Sequence, residues 1–255
     1  MKVYPLSTSA HPPSMRAMAD PQHKTQEHLP FTVRLVRDET DLDKAVQIRH
    51  QAYARHMPEL AEHLKSPETV DLQAGVVLLL AESKLDGSAL GSLRIHTNRY
   101  VPLPIEKSVT LPPELRAWPL AQVSRLGIAQ GLVGRLVKLA LIKASFMYCE
   151  KNDIKWAVLA ARSPLDRQYA QLDFTDLYPD TGYIALPHMN HVPHRVMGFE
   201  IDTGESRWRK AQHPLLSFFC HTHHPDLDVS ASSDTPPAPV CVAYRTDKRA
   251  PLLCS

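Results

Sequence analysis

LAQVSRLGI (Leu120–Ile128), AQGL (Ala129–Leu132), VGRLVKLALIKASFMYCEK (Val133–Lys151) and KWAVLAA (Lys155–Ala161) follow one another along the chain. The first and last read as strands. The third is apolar over most of its circumference, which places a long helix deep against a sheet. Strand, helix and strand in this order imply a parallel pair joined by a crossover. The turn between them carries Gly131 and Gly134, with Arg135 and Lys138 one helical turn apart beside the helix start. Glycines at a helix N-terminus let backbone N–H groups approach an anion, and the helix dipole favours it there. A phosphate or pyrophosphate fits such a place, and so does a plain turn.

Outward from this unit the alternation continues. Phe31–Arg37 alternates apolar and polar residues, as a half-buried strand does. Asp41 is expected to cap a helix over Asp41–His56. Gly75–Ser83 reads as a buried strand, Asp86-Gly87 as a hairpin turn, and Ala89–Arg99 as the returning strand. After Ala161, Ser163 is expected to cap a helix with Pro164 at its first position and Asp166 in its first turn. Residues 181–202 read as two strands with an interrupted connection, and Ser206–Phe219 as a last helix. The strand–helix–strand units imply parallel pairs and the hairpin an antiparallel one. The expected class is α/β (α+β), a mixed central sheet with helices on both faces.

Composition bounds the rest. The chain has 255 residues, and a chain of this length buries roughly 70% of its unfolded surface. Lys and Arg total 29 against 27 Asp and Glu, a net charge of +2, which disfavours a nucleic-acid-coating protein. The longest strongly apolar run, Val76–Ala81, is far short of a membrane span, and Met1–Ala10 shows no apolar signal core. No nucleic-acid partner and no stable membrane insertion are expected. Cys149, Cys220, Cys241 and Cys254 are widely spaced, which reads as free thiols in a reducing cytoplasm. Of 22 prolines, five fall in residues 1–30 and four in 229–255. Both ends lack apolar periodicity and are read as flexible tails around one domain, 31–228.

The order of elements, with Asp166-Arg167-Gln168-Tyr169-Ala170-Gln171-Leu172-Asp173-Phe174 after the last strand of the unit, resembles the acyl-CoA-binding half of GNAT-fold acyltransferases. Their helix commonly ends Tyr-x-x-x-Gly-Phe; here Asp173 stands at the glycine. Gln122-Val123-Ser124-Arg125-Leu126 resembles the Glu-x-Ser-Arg-Phe motif of acyl-homoserine-lactone synthases. Arg49 with Tyr53, Glu68 with Asp71, and Arg94 in Gly91-Ser92-Leu93-Arg94 resemble three further motifs of theirs. The overall likeness is to the related bacterial N-acyl amino acid synthases. It implies a GNAT-like fold and acyl carrier protein as donor partner. It also implies an acyl-phosphopantetheine thioester, less readily acyl-CoA, as cosubstrate, and no permanently bound cofactor.

The resemblance implies site residues as well. Gln122, Ser124, Arg125 and Tyr169 fall at catalytic positions, although an amide at Gln122 is no carboxylate base. Glu82, ending an apolar strand, is the alternative base. Backbone donors near Ser124–Leu126 would steady the oxyanion of a tetrahedral intermediate, each worth roughly 3 kcal/mol. The Tyr169 phenol would protonate the leaving thiolate, a near-balanced transfer at ordinary pKa values. Arg49, Tyr53, Glu68, Asp71 and Arg94 are expected at the acceptor amino acid, or in a buried ion network, because an arginine in an apolar strand needs an anionic partner. Leu126, Ile128, Gly131, Gly134 and Arg135 are expected along the phosphopantetheine arm.

From Arg125 to Lys155 six basic residues face two acidic ones. Arg135, Lys138 and Lys143 in that stretch are expected to dock an acidic carrier protein. His188, His191 and His194 stand at metal-like spacing, but Pro187 and Pro193 argue against a helix that would gather them, and no metal is expected. The function these readings favour is transfer of a fatty acyl group from carrier protein to an amino acid. The alternatives are acetyl transfer from acetyl-CoA on the same fold, or an inactive GNAT-like binding protein.

Overall fold

A computed structural model describes residues 25–187 and 191–230. Eleven strands lie among them: β1 (Thr25–Gln26), β2 (Phe31–Leu35), β3 (Val76–Ser83), β4 (Ala89–Thr97), β5 (Leu120–Ile128), β6 (Trp156–Ala161), β7 (Thr175–Asp176), β8 (Ile184–Ala185), β9 (Pro193–Glu200), β10 (Thr222–His223) and β11 (Leu227–Asp228). The helices are α1 (Glu39–Ala54), α2 (Pro58–Glu62), α3 (Pro113–Arg116), α4 (Gly134–Lys151), α5 (Leu165–Ala170) and α6 (Gly204–Lys210). The main sheet runs β11-β2-β3-β4-β5-β6-β9-β7, with β8 on β9. The β5–α4–β6 unit is parallel, as its sequence requires. The β2–α1–β3 unit is not: α2 and a 3-10 turn at Thr69–Leu72 bring the chain back to the opposite end, so β3 lies antiparallel to β2.

Strand parity sorts the two faces. Leu42, Ala45 and Val46 of α1 cluster with Val76, Leu78 and Leu80 of β3. The alternate residues Leu79 and Ala81 face α4, packed with Leu93, Ile95, Val123, Val137, Ala140 and Leu141. Ser92 points to the α1 face, where its hydroxyl donates to Ala45 O at 3.0 Å. Gly127 is needed on that face: a Cβ there would stand 3.0 Å from Arg49 Cα. Fully burying a single leucine of these layers is worth about 2 kcal/mol, so both faces contribute heavily to the fold.

Several local expectations are corrected. Asp38, not Asp41, caps α1, its carboxylate accepting from Asp41 N at 2.8 Å. Asp41 is buried against the Arg34 guanidinium instead. Ser163 does not cap α5, whose N-cap is Pro164 and makes no side-chain bond. The last helix stops at Lys210 because Gln212 adopts φ +50° and Pro214 follows; a π-helical turn, Ser217–His221, replaces its second half. The described domain begins before Phe31. β1 pairs with β10, and Leu29 is buried, its N–H donating to Asp226 Oδ2 at 2.7 Å. The rest of both expected tails, and Cys241 and Cys254, lie outside the described residues. Cys149 is a buried free thiol and Cys220 is half-buried; burial pushes the Cys149 thiol up to about 12. Among the described residues no helix is long and apolar enough to cross a membrane.

Candidate active site

β5 and β6 pair only over Leu120–Gln122 and Trp156–Val158. Beyond that point β5 stays with β4 and β6 stays with β9, so the two strands part. The divergence is sharpened by a bulge. Ser124 opposes Arg94 and Gly127 opposes Ser92, which leaves Arg125 and Leu126 against Leu93 alone. Arg125 adopts φ +54°, a conformation that costs a non-glycine residue of order 1 kcal/mol and is held by its surroundings. The result is a cavity of about 1040 Å³ between the parted strands, closed by α1, α4 and α5. A splayed pair leaves backbone N–H and C=O groups without a strand partner, the requirement for gripping an extended amide-bearing ligand.

The expected site residues divide in two. Ser124, Arg125, Leu126, Ile128, Arg135, Lys138, Tyr53 and Tyr169 all line the cavity. Gly131 and Gly134 form the adjoining turn; Gly131 sits at φ +138°, and a Cβ on Gly134 would stand 3.2 Å from Ala129 O. Arg135 is exposed, and Lys138 donates to Gln168 Oε1 at 2.7 Å, linking α4 to α5. Burial, helped by Arg135, lowers the Lys138 pKa. Tyr169 is half-buried, edge-on to Phe174. Burial raises its phenol pKa, so it is a reluctant proton donor rather than the balanced one expected. Asp173 adopts φ +68°, which is why a glycine suits that position; aspartate tolerates it, and its carboxylate accepts from Arg207 Nε at 2.6 Å.

Behind Arg125 lies the ion network. Arg125 Nε and Nη2 each donate to Glu68 at 2.7 Å. Arg94 Nη1 donates to Glu68 Oε2 at 2.9 Å and Asp71 Oδ1 at 3.1 Å, and its Nε to Ser124 Oγ at 3.3 Å. Arg49 holds Asp71 bidentately at 3.0 and 2.7 Å. Burial would push the Glu68 carboxyl up, but Arg125, Arg94 and Arg49 overcome this and hold it at about 2. Arg49, Glu68, Asp71 and Arg94 therefore partner one another, not an open acceptor pocket. Three guanidinium groups on two carboxylates leave one positive charge in excess beside the cleft.

Three expected site residues stand elsewhere. Gln122 is buried outside the lining, its Oε1 accepting from Ile105 N at 2.9 Å, so its amide anchors the 103–107 loop. Glu82 lies at the far end of β3, where its carboxylate meets Lys44 at 2.8 Å and Arg34 at 3.5 Å. Lys143 is buried, with Nζ donating to Phe218 O and Thr222 O at 2.6 Å and meeting His224 Nδ1 at 2.9 Å. It braces the 217–224 segment and offers no docking charge. Sequence reasoning missed the far wall, Leu159–Arg162 of β6 and beyond, together with His194 and Leu215. Their signal was weak, because nothing in the sequence shows that two paired strands separate. Among the described residues no three His, Cys, Asp or Glu side chains are grouped to hold a metal; His188 lies outside them.

No family model matches the chain, and no curated protein does. Solved structures do. FeeM, an N-acyl amino acid synthase from uncultured soil microbes, aligns at 16% identity over 74% of this chain and 96% of its own, with a TM-score of 0.54. The CoA-dependent acyl-homoserine lactone synthase BjaI, solved with SAM and isopentyl-CoA, aligns at 15% identity over 79% and 95%, TM-score 0.52. The same enzyme with MTA gives 16% and 0.51. The fold of this chain is therefore GNAT-like, as its sequence motifs imply.

Proposed function

We propose that the chain is an N-acyltransferase that moves a fatty acyl group from the phosphopantetheine thioester of acyl carrier protein to the amino group of an amino acid. The observation that carries this reading is the cleft itself: parted strands, a backbone bulge at Arg125, and Arg135 and Lys138 at the start of α4. Unpaired backbone groups suit the amides of a pantetheine arm. Ser124, Arg125 and Leu126 line the cleft at the bulge, and this reading assigns their backbone N–H groups to the oxyanion. The apolar side chains Leu126, Leu139, Leu159, Leu165, Leu172 and Leu215 suit an acyl chain. The excess positive charge behind Arg125 favours an acceptor bearing a carboxylate.

In the reaction the neutral amine attacks the thioester carbonyl, the C–N bond forms, and the C–S bond breaks as the tetrahedral intermediate collapses. In this reading the thiolate takes a proton from Tyr169, which lines the cleft, and the nitrogen's surplus proton restores the phenol. The test is thiol release by the purified protein from acyl carrier protein and CoA thioesters of two to sixteen carbons, with each common amino acid, and mass spectrometry of the products. Long-chain N-acyl amino acids are expected. Short acetamides would select acetyl transfer, and no product with any pair would leave an inactive binding protein.

A further inference from the structure

The reaction needs a base to neutralise the incoming ammonium group, and neither Gln122 nor Glu82 supplies one. Gln122 is an amide that holds the Ile105 N–H, and Glu82 is ion-paired outside the cleft. Glu68 is clasped by Arg125 and held in its ionised, weakly basic form at about 2. Lys138 is a donor already spent on Gln168. His213 has both ring nitrogens engaged, Nε2 with Gln171 O at 2.7 Å and Nδ1 with Leu215 N at 3.1 Å.

His194 differs from all of these. It is buried on β9 and lines the cleft. Its Nδ1 lies 2.6 Å from Val192 O. A carbonyl oxygen only accepts, so Nδ1 carries the proton and Nε2 keeps its lone pair. Among the described residues Nε2 makes no hydrogen bond, and the residue lines the cleft. The bond to Val192 fixes both the tautomer and the ring orientation. Strand parity puts the side chain on the correct side: His194 alternates with Val196, which packs with Val158 on the sheet face opposite α4. Gln122 pairs in register with Val158, and Ser124 follows two residues on, so both point to that same face.

We propose that His194 is the general base of the acyl transfer, taking a proton from the acceptor ammonium onto Nε2; the inference rests on the acyltransferase reading above. The ammonium N–H bond breaks and the Nε2–H bond forms, giving a free amine and an imidazolium. The amine attacks the thioester, and the imidazolium returns its proton to solvent after the product leaves. Burial keeps the imidazole below its ordinary pKa; the Val192 carbonyl opposes this and the Arg162 charge adds to it. The free base therefore persists at neutral pH. The other titratable groups around the cleft are Tyr53 of α1, Arg55 and His56 just beyond it, Arg125 of β5, Arg135 and Lys138 of α4, Tyr169 of α5 and His213.

The experiment measures kcat/KM for acyl transfer against pH in the intact chain, the His194→Gln and His194→Asn variants, and His56→Gln. Asparagine retains a donor for Val192 O, so it guards against simple loss of fold. Both His194 variants are expected to lose 10²-fold or more at pH 7, within the range of general-base loss, and to lose the acid limb of the profile. An α-aminooxy analogue of the acceptor, whose terminal nitrogen is already neutral at pH 7, should recover most of that loss; a merely structural role would slow both acceptors alike. Imidazole nitrogen NMR of the intact chain should show the Nδ1–H tautomer for His194. An acid limb retained in both His194 variants, its transfer to His56→Gln, or an Nε2–H tautomer overturns the assignment while leaving the acyltransferase reading standing. An intact chain that transfers no acyl group overturns both.

Discussion

The Arg125 guanidinium holds the Glu68 carboxylate through two hydrogen bonds of 2.7 Å, at the residue whose left-handed backbone lies in the β5 bulge that lines the cleft. One pair thus fixes both the cleft wall and the electrostatics behind it. The Glu68 carboxyl falls from the usual 4.5 to about 2, so folding gains its full linkage above about pH 4.5 and loses it as pH falls toward 2. At 1.36 kcal/mol per pH unit this is worth about 3 kcal/mol. Glu68→Gln is expected to flatten the stability profile between pH 5 and 3, measured by urea unfolding. It should also destabilise the fold at neutral pH by about 3 kcal/mol, because it leaves buried arginine charge uncompensated. An unchanged slope would show that Glu68 does not carry the acid sensitivity.

Charge reversal separates the two kinds of lysine on α4. Arg135 and Lys138 line the cleft at the helix start, so Arg135→Glu with Lys138→Glu should weaken carrier-protein binding, with affinity that falls as salt rises, and leave the fold intact. Lys143→Glu is expected to do the reverse. Its ammonium donates to two carbonyls inside the fold, and a buried carboxylate there would destabilise by several kcal/mol. Fluorescence binding and thermal melts on the same variants read both outcomes. Loss of binding in Lys143→Glu with an unchanged melt would return it to the docking surface.

What the sequence made legible, and what it hid, follows from the range of the interactions. The β5–α4–β6 unit is written in local periodicity, and the apolar helix and its flanking strands lie where that periodicity puts them. The partners Arg94, Arg125, Glu68 and Asp71 are legible too, since an arginine in an apolar strand demands an anion. The β2–β3 direction was hidden, because it depends on how far α2 and the Thr69–Leu72 turn carry the chain before it re-enters the sheet. Lys143 looked like surface charge, for no periodicity reveals that the 217–224 backbone would offer it two carbonyls. His194 stood in a histidine-rich stretch with metal-like spacing, yet what singles it out is a hydrogen bond to a carbonyl two residues away.

The chain before Phe31 is expected to matter for stability only from Thr25 onward. β1 pairs with β10, and Leu29 is buried in the main core cluster. Deleting residues 1–24 should leave the melting temperature within a degree or two. Deleting 1–30 removes Leu29, and its burial alone is worth about 2 kcal/mol, a shift of several degrees for a domain of this size. Differential scanning calorimetry of both truncations distinguishes them; equal melts would mean that the Leu29 contacts carry no stability.

Tyr169→Phe is expected to slow acyl transfer 10- to 10³-fold with an unchanged circular dichroism spectrum, since only the phenolic proton is lost. Burial has raised the phenol pKa, so the rate of the native protein should show no fall from Tyr169 ionisation anywhere near neutral pH. Full activity in the Phe variant would reduce Tyr169 to its packing against Phe174.

Acyl-chain preference should be set by the cleft's α4 and α5 walls. β3 forms no part of the lining, and Ala140 and Ala144 of α4 are fully buried against the sheet, so enlarging either would overpack the core without narrowing the cleft. The apolar α4 residues that do line the cavity are Leu139 and Ile142, and Leu215 lines it too. Sheathing each methylene is worth about 0.8 kcal/mol, so a dozen carbons offer roughly 9 kcal/mol and a bulky side chain in their path forfeits several. Donors of medium or long chain are therefore expected to outcompete acetyl in the native protein. Leu139→Trp or Leu215→Trp should shift the preferred length down by several carbons in a competition assay across two to sixteen. Preference for acetyl in the native protein would select the acetyltransferase alternative. An unshifted preference in both variants, with melts unchanged, would put the acyl chain outside this cleft.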